Sequence, residues 1–161
     1  MKFRILILLI LLCNILNGQS FNLNELIKLS KSDLNFFDTY VTNKGFMFVE
    51  KKKESDYFAN VYVQNNERGY KSNYINKIDF ISHHEAMIAY RTTNSKIYLK
   101  IKDELVKYGF KYIENGVDSE GNIFFTYRKG KLEATLLSDK TTNAELNSNK
   151  IDYEIGVSYF K

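Results

Sequence analysis

Gly45-Phe46-Met47-Phe48-Val49-Glu50 recurs 64 residues later as Gly109-Phe110-Lys111-Tyr112-Ile113-Glu114. Each copy follows a stretch with helical spacing, and glycine commonly stands just past a helix end. Each copy then continues in residues that favour strands. Further on, Asn76-Lys77-Ile78-Asp79-Phe80 is echoed by Asn149-Lys150-Ile151-Asp152-Tyr153, 73 residues away. Two matches in the same order point to an internal duplication. A composition rich in Asn, Lys, Ile and aromatics is the competing source of such matches.

Working backwards from Gly45, Asn22 and Glu25 have the spacing of a capping box. Leu23, Leu26 and Ile27 follow on one helical face, and Ser32-Asp33 offers a second cap before Leu34, Phe37, Tyr40 and Val41. Working backwards from Gly109, a helix starts at Asn94 or Ser95 and repeats Ile97, Ile101 and Leu105 at four-residue spacing. Strands are read from period-two alternation. Tyr57, Ala59, Val61 and Val63 share one face, as do Ala86, Ile88 and Tyr90. The same holds for Ile123, Phe125 and Tyr127, for Leu132, Ala134 and Leu136, and for Ile151, Tyr153, Ile155, Val157 and Tyr159. One buried face per strand is typical of antiparallel pairing. Glu120-Gly121-Asn122 and Lys129-Gly130-Lys131 supply turns. The order is helix, four strands, helix, four strands. The expected fold class is α+β, with two tandem helix-plus-four-strand repeats (about 21–92 and 93–161) and both helices packed on one face of an antiparallel sheet, continuous or in two halves.

Residues 1–20 stand apart. Lys2 and Arg4 give a basic start, Ile5 through Leu12 an aliphatic run, and Gly18-Gln19-Ser20 a small-residue exit. These are the parts of a secretory signal peptide, cut between Ser20 and Phe21 or after Gly18. The run breaks at Asn14 and Asn17, short of the roughly 20 apolar residues a membrane span needs. Leu12 precedes Cys13 where a lipoprotein signal would carry a small residue. Removing 20 of 161 residues leaves 141 in one domain, with 21 basic against 19 acidic residues and no cysteine. Thiol chemistry and disulfides are then excluded together. A charge so near balance, without a basic stripe, argues against nucleic acid. The expected location is the periplasm or the exterior, with no membrane span after cleavage.

Two resemblances enter here. Leu26-Ile27-Lys28-Leu29-Ser30-Lys31-Ser32-Asp33-Leu34 and Thr42-Asn43-Lys44-Gly45-Phe46 resemble a family of small exported proteins of Bacteroidota bacteria, a likeness that implies no activity. The tandem helix-plus-four-strand order is similar to that of the β-lactamase inhibitor protein, in architecture alone. Fold by itself does not imply function.

No catalytic motif is present. His83 and His84 lie in one turn with no further His or Cys to complete a zinc site of three or four ligands. They are weak metal candidates, and no metal or cofactor is expected. Glu50, Glu114, Asp79 and Asp152 are the paired carboxylates that glycoside hydrolysis would require. Surface carboxylates near strand ends are the plainer reading. Phe58, Tyr62, Met87, Phe124 and Phe160 oppose the core sets of their strands. If one sheet face meets solvent, they form an apolar patch of the kind that binds partners. The leading expectation is a non-enzymatic binding protein using this face on a protein partner in the envelope or exterior, inhibitor-like in one version. The competing expectations are a small apolar ligand or lipid held by Phe46, Phe48, Ile97 and Ile101 between sheet and helices, a carboxylate hydrolase, and self-association through the patch.

Overall fold

A computed structural model of the protein describes residues 20–65, 71–82, 85–139 and 152–160. The first 19 residues, on which most of the expected export signal falls, lie outside the described residues, as do His83 and His84.

The helices form where their caps are written. Asn22 accepts from the Glu25 N–H at 3.0 Å, and the Glu25 carboxylate accepts from the Asn22 N–H at 2.9 Å, opening α1 (Leu23–Lys31). Asp33 accepts from the Phe36 N–H at 2.8 Å and opens α2 (Leu34–Asn43). Asn94 accepts from the Lys96 N–H and opens α3 (Ser95–Lys107). Such caps satisfy backbone donors that no helical carbonyl can reach.

α2 and α3 close in the same way. Gly45 and Gly109 adopt φ of 82° and 78°, a left-handed conformation open to glycine at little cost. The N–H groups of Gly45 and Phe46 bond to Thr42 and Val41, and those of Gly109 and Phe110 bond to Val106 and Leu105.

β1 (Met47–Lys53), β2 (Tyr57–Asn65), β3 (Lys71–Phe80) and β4 (Glu85–Thr92) follow α2, while β5 (Lys111–Val117), β6 (Ile123–Lys129), β7 (Leu132–Asp139) and β8 (Asp152–Phe160) follow α3. They form one eight-stranded sheet in the order β1-β2-β3-β4-β8-β7-β6-β5, antiparallel throughout. The fold is α+β. Both edge strands carry a bulge at the matching place, between Phe48 and Glu50 in β1 and between Tyr112 and Glu114 in β5. The second sequence echo does not fall on matching strands. Asn76–Phe80 belongs to β3, whereas Asp152 and Tyr153 belong to β8, the fourth strand of its run.

One buried cluster joins Leu26, Phe37 and Ile101 of the helices to Tyr62, Ile75, Tyr90, Leu136 and Ile155 of the strands. This defines the core face. In β4, β6, β7 and β8 the alternation was read correctly, since Ile88, Tyr127, Ala134 and Val157 all belong to the cluster. In β2 it was inverted. Tyr62 is 3 % exposed, its ring packed edge-on against Phe37, and its hydroxyl donates to Asp38 at 2.7 Å. Tyr57, Ala59, Val61 and Val63 therefore face the other way. Both faces of β2 are apolar enough to be buried, so alternation alone cannot choose between them.

Glu25 ties the N-terminal segment together. Beyond its capping role it accepts from the Tyr40 hydroxyl at 2.7 Å and lies 2.8 Å from the Lys44 ammonium. Burial raises its pKa, but hydrogen bonds from Lys44, Tyr40 and the Asn22 N–H outweigh that and hold it below its ordinary 4.5. The Tyr40 hydroxyl is pushed up to about 12, by burial first and the Glu25 carboxylate second. Because the folded carboxyl is the stronger acid, its contribution to stability is complete above the unfolded value and is lost as pH falls through the folded one. The melting temperature is expected to fall less on acidification for Glu25→Gln than for the natural protein, and equal slopes would contradict this.

Candidate functional site

The face opposite the core cluster is built from the alternate residues of each strand, and no described helix covers it. On the β1–β4 side it forms a groove of about 640 Å³. Ala59, Val61, Val63, Ile78 and Ala89 make its floor, and Tyr57 and Tyr74 rise from β2 and β3. The register explains the depth. Val61 pairs with Asn76 and Asn76 with Ala89, so a row of short side chains crosses three strands of the floor.

Charge is confined to the rim and largely neutralised there. Lys52 lies 3.3 Å from Glu50, and Arg91 lies 3.3 Å from Glu154, its partner across β4 and β8. Asp152 closes the same end as Glu154. In the floor, the Asn76 side-chain oxygen is buried without a hydrogen-bond partner. Buried acceptors of this kind are uncommon in native proteins, and leaving one unpaired costs about 1–3 kcal/mol.

The five positions predicted for partner binding do not form one patch. Tyr62 belongs to the core. Phe58 is on the same side of β2, half-buried near the sheet edge, with the Lys51 and Lys53 ammonium groups 5.3 and 5.7 Å from its ring centre. Met87, Phe124 and Phe160 do occupy the open face, each half-buried. A Cβ at Gly156 would meet the Met87 methyl at 2.9 Å, so that side chain lies across the glycine; Phe124 likewise covers Gly116. Phe160 stands opposite Glu85 at one end of the strands, and Phe124 opposite Leu137 towards the other.

The groove residues that sequence reasoning missed are those of β2 assigned to the core: Tyr57, Ala59, Val61 and Val63. The available signal was that Phe58 and Tyr62 made β2 apolar on both sides, so one side had to find a cover other than the helices.

Residues invoked for other chemistries are dispersed. Phe46 and Ile101 are buried in the core cluster, and Ile97 packs against it, while Phe48 is exposed on β1. Of the four carboxylates, Glu50 and Asp152 line the groove. Asp79 pairs with Phe58 and shares its face, and Glu114 is on the far edge strand. Among the described residues no group of three or more His, Cys, Asp or Glu side chains is placed to hold a metal, and no helix is long and apolar enough to cross a membrane.

No family model, curated protein or solved structure matches the chain.

Proposed function

We propose that this protein is an exported, non-enzymatic binding module that seats a segment of a protein partner in the groove of its open sheet face. The observation that carries this reading is the apolar floor of Ala59, Val61, Val63, Ile78 and Ala89, covered by no described element on a sheet whose other face is committed to the core. Small-molecule sites usually bury most of their ligand's surface. Here every lining residue comes from β1 to β4 or β8, so no described residue roofs the groove. An occupant would keep one side in water, as a loop or helix of a folded protein does. An apolar floor with a polar rim is the anatomy of an interface.

Two features accompany the proposal. Residues 1–20 act as a cleaved export signal, which delivers the domain to the periplasm or the exterior. The domain consists of two tandem helix-plus-four-strand repeats with their helices on one face, a reading supported by the matching glycine turns and matching edge bulges.

The test is capture of a partner from envelope and culture-supernatant extracts of the producing cell, by the natural protein and by Val61→Glu. A buried charge at the floor is expected to weaken capture about thirtyfold or more, the size of an interface hot spot, with the melting temperature little changed. Equal capture by both proteins would remove the groove from the interface.

A further inference from the structure

The two sheet edges are built alike but carry different charges. Every residue of β1 is exposed, and of β5 all but Gly116, so both strands leave one backbone edge without a neighbour among the described residues. Exposed edges invite pairing with another strand unless charge or distortion blocks it. β1 carries Lys51, Lys52 and Lys53 against Glu50, whereas β5 carries only Lys111 and Glu114. β5 also exposes Tyr112, Ile113 and Val117, at 53, 48 and 65 %.

We propose that β5 pairs with β5 of a second copy of this chain, joining two sheets into one of sixteen strands about a two-fold axis. Residues opposite each other in an antiparallel pair must project from the same face. Tyr112, Asn115 and Val117 share the core face, opposite Tyr127, Phe125 and Ile123 of β6; Glu114 and Gly116 share the open face, opposite Thr126 and Phe124. The bulge at Ile113 is what brings Tyr112 and Val117 to one side. Of the registers that satisfy the two-fold and the faces, the one centred on Asn115 pairs the whole length of the strand. Asn115 meets its own copy, Glu114 meets Gly116, Tyr112 meets Val117, and Lys111 comes level with Asp118. Each pairing is favourable or neutral: two amides that can bond each other, an aromatic on a β-branched side chain, a cation beside an acid.

The same register applied to β1, with its bulge at Val49, puts Lys51 against Lys51 at the centre, Glu50 against Lys52 and Phe48 against Lys53. Like charges directly opposite are destabilising. The two edges thus differ at their centre, where β1 sets two like charges against each other and β5 two amides that can bond. The dimer leaves the groove, which lies beside β1, open at both ends of the joined sheet.

Sedimentation velocity of the purified protein is expected to show a concentration-dependent species of twice the chain mass. Asn115→Lys, which gives β5 the residue β1 has at that place, is expected to abolish it, while Lys51→Arg, which keeps the charge on β1, leaves it unchanged. Paired Cα atoms about 4.5–5.5 Å apart fall within the span of a disulfide, about 4.4–6.8 Å. In a Cys13→Ser background, Asn115→Cys is therefore expected to cross-link into a covalent dimer on oxidation and Lys51→Cys to give no cross-link. Should Asn115→Lys perturb the fold, this cysteine pair decides alone. A monomer at every concentration, a dimer that survives Asn115→Lys, a failure of Asn115→Cys to cross-link, or open-ended growth through β1-to-β5 contacts would each overturn the proposal.

Discussion

Tyr62→Ala is expected to lower the unfolding free energy by about 3–5 kcal/mol, the range for truncating a buried aromatic. The ring is 3 % exposed and packs edge-on against Phe37 and Phe48, both with centroids at 5.4 Å. Its hydroxyl bonds to Asp38, on α2. Burial, and then the Asp38 carboxylate, hold the phenol well above its ordinary pKa. Tyr62→Phe, which keeps the ring and loses the hydrogen bond, is expected to cost only about 0.5–1.5 kcal/mol. Urea unfolding of the three proteins measures both differences. The experiment also tests which face of β2 is which. Had Tyr62 been on the solvent side, where alternation placed it, truncation would stay within the roughly 0.5 kcal/mol usual for surface changes. A loss that small would move the groove to the wrong side of the sheet.

What the sequence revealed, and where it misled, follows from how local each signal is. The caps at Asn22, Asp33 and Asn94 were legible because a cap needs only residues three or fewer apart. The turns at Gly45 and Gly109 were legible for the same reason. The orientation of β2 was not, because Phe58 and Tyr62 on one side and Val61 and Val63 on the other are equally good core residues. The choice is made at long range, by Phe37 and Asp38 reaching Tyr62 from α2, and by Gln64 bridging the Lys44 carbonyl and the Asn73 amide. β3 hides its inner side in a similar way. Lys77 reads as a surface residue, yet it is 2 % exposed and its ammonium reaches the Leu29 carbonyl at the end of α1, 3.5 Å away. Long aliphatic stems allow lysine this double behaviour. The groove was invisible for a related reason. Its depth comes from Val61, Asn76 and Ala89 falling into one row, and a row exists only once register is set. The echo of Asn76–Phe80 in 149–153 misled because short matches carry no information on strand order.

Phe21→Ala is expected to cost the same, about 3–5 kcal/mol, although the residue is the second of the described residues. Phe21 is 2 % exposed, its ring 5.0 Å from that of Tyr90 and 5.5 Å from that of Phe46. It precedes the Asn22 cap, and Leu26 follows four residues into the helix, the two positions of a hydrophobic staple. Both belong to the one buried cluster. The Lys44 ammonium lies 4.8 Å from the Phe21 ring centre, 2.9 Å from the Ser20 carbonyl oxygen and 2.8 Å from Glu25. Removing the ring therefore opens a cavity against Tyr90 and Phe46, and also loosens the ammonium that steadies the Glu25 carboxylate. Phe21→Leu, which keeps most of the apolar volume, is expected to recover more than half of the loss. The comparison bears on the proposed export signal. A cut between Ser20 and Phe21 leaves the ring on the mature chain but removes the carbonyl that accepts from Lys44, and a cut after Gly18 keeps both. Chains beginning at Gln19 and at Phe21 are accordingly expected to differ by no more than about 1 kcal/mol, the worth of one exposed polar contact. Both should exceed Phe21→Ala by several times that. If truncation to Phe21 proved as damaging as loss of the ring, the first structural contribution would come from Ser20 and Lys44, and the core would not begin at Phe21.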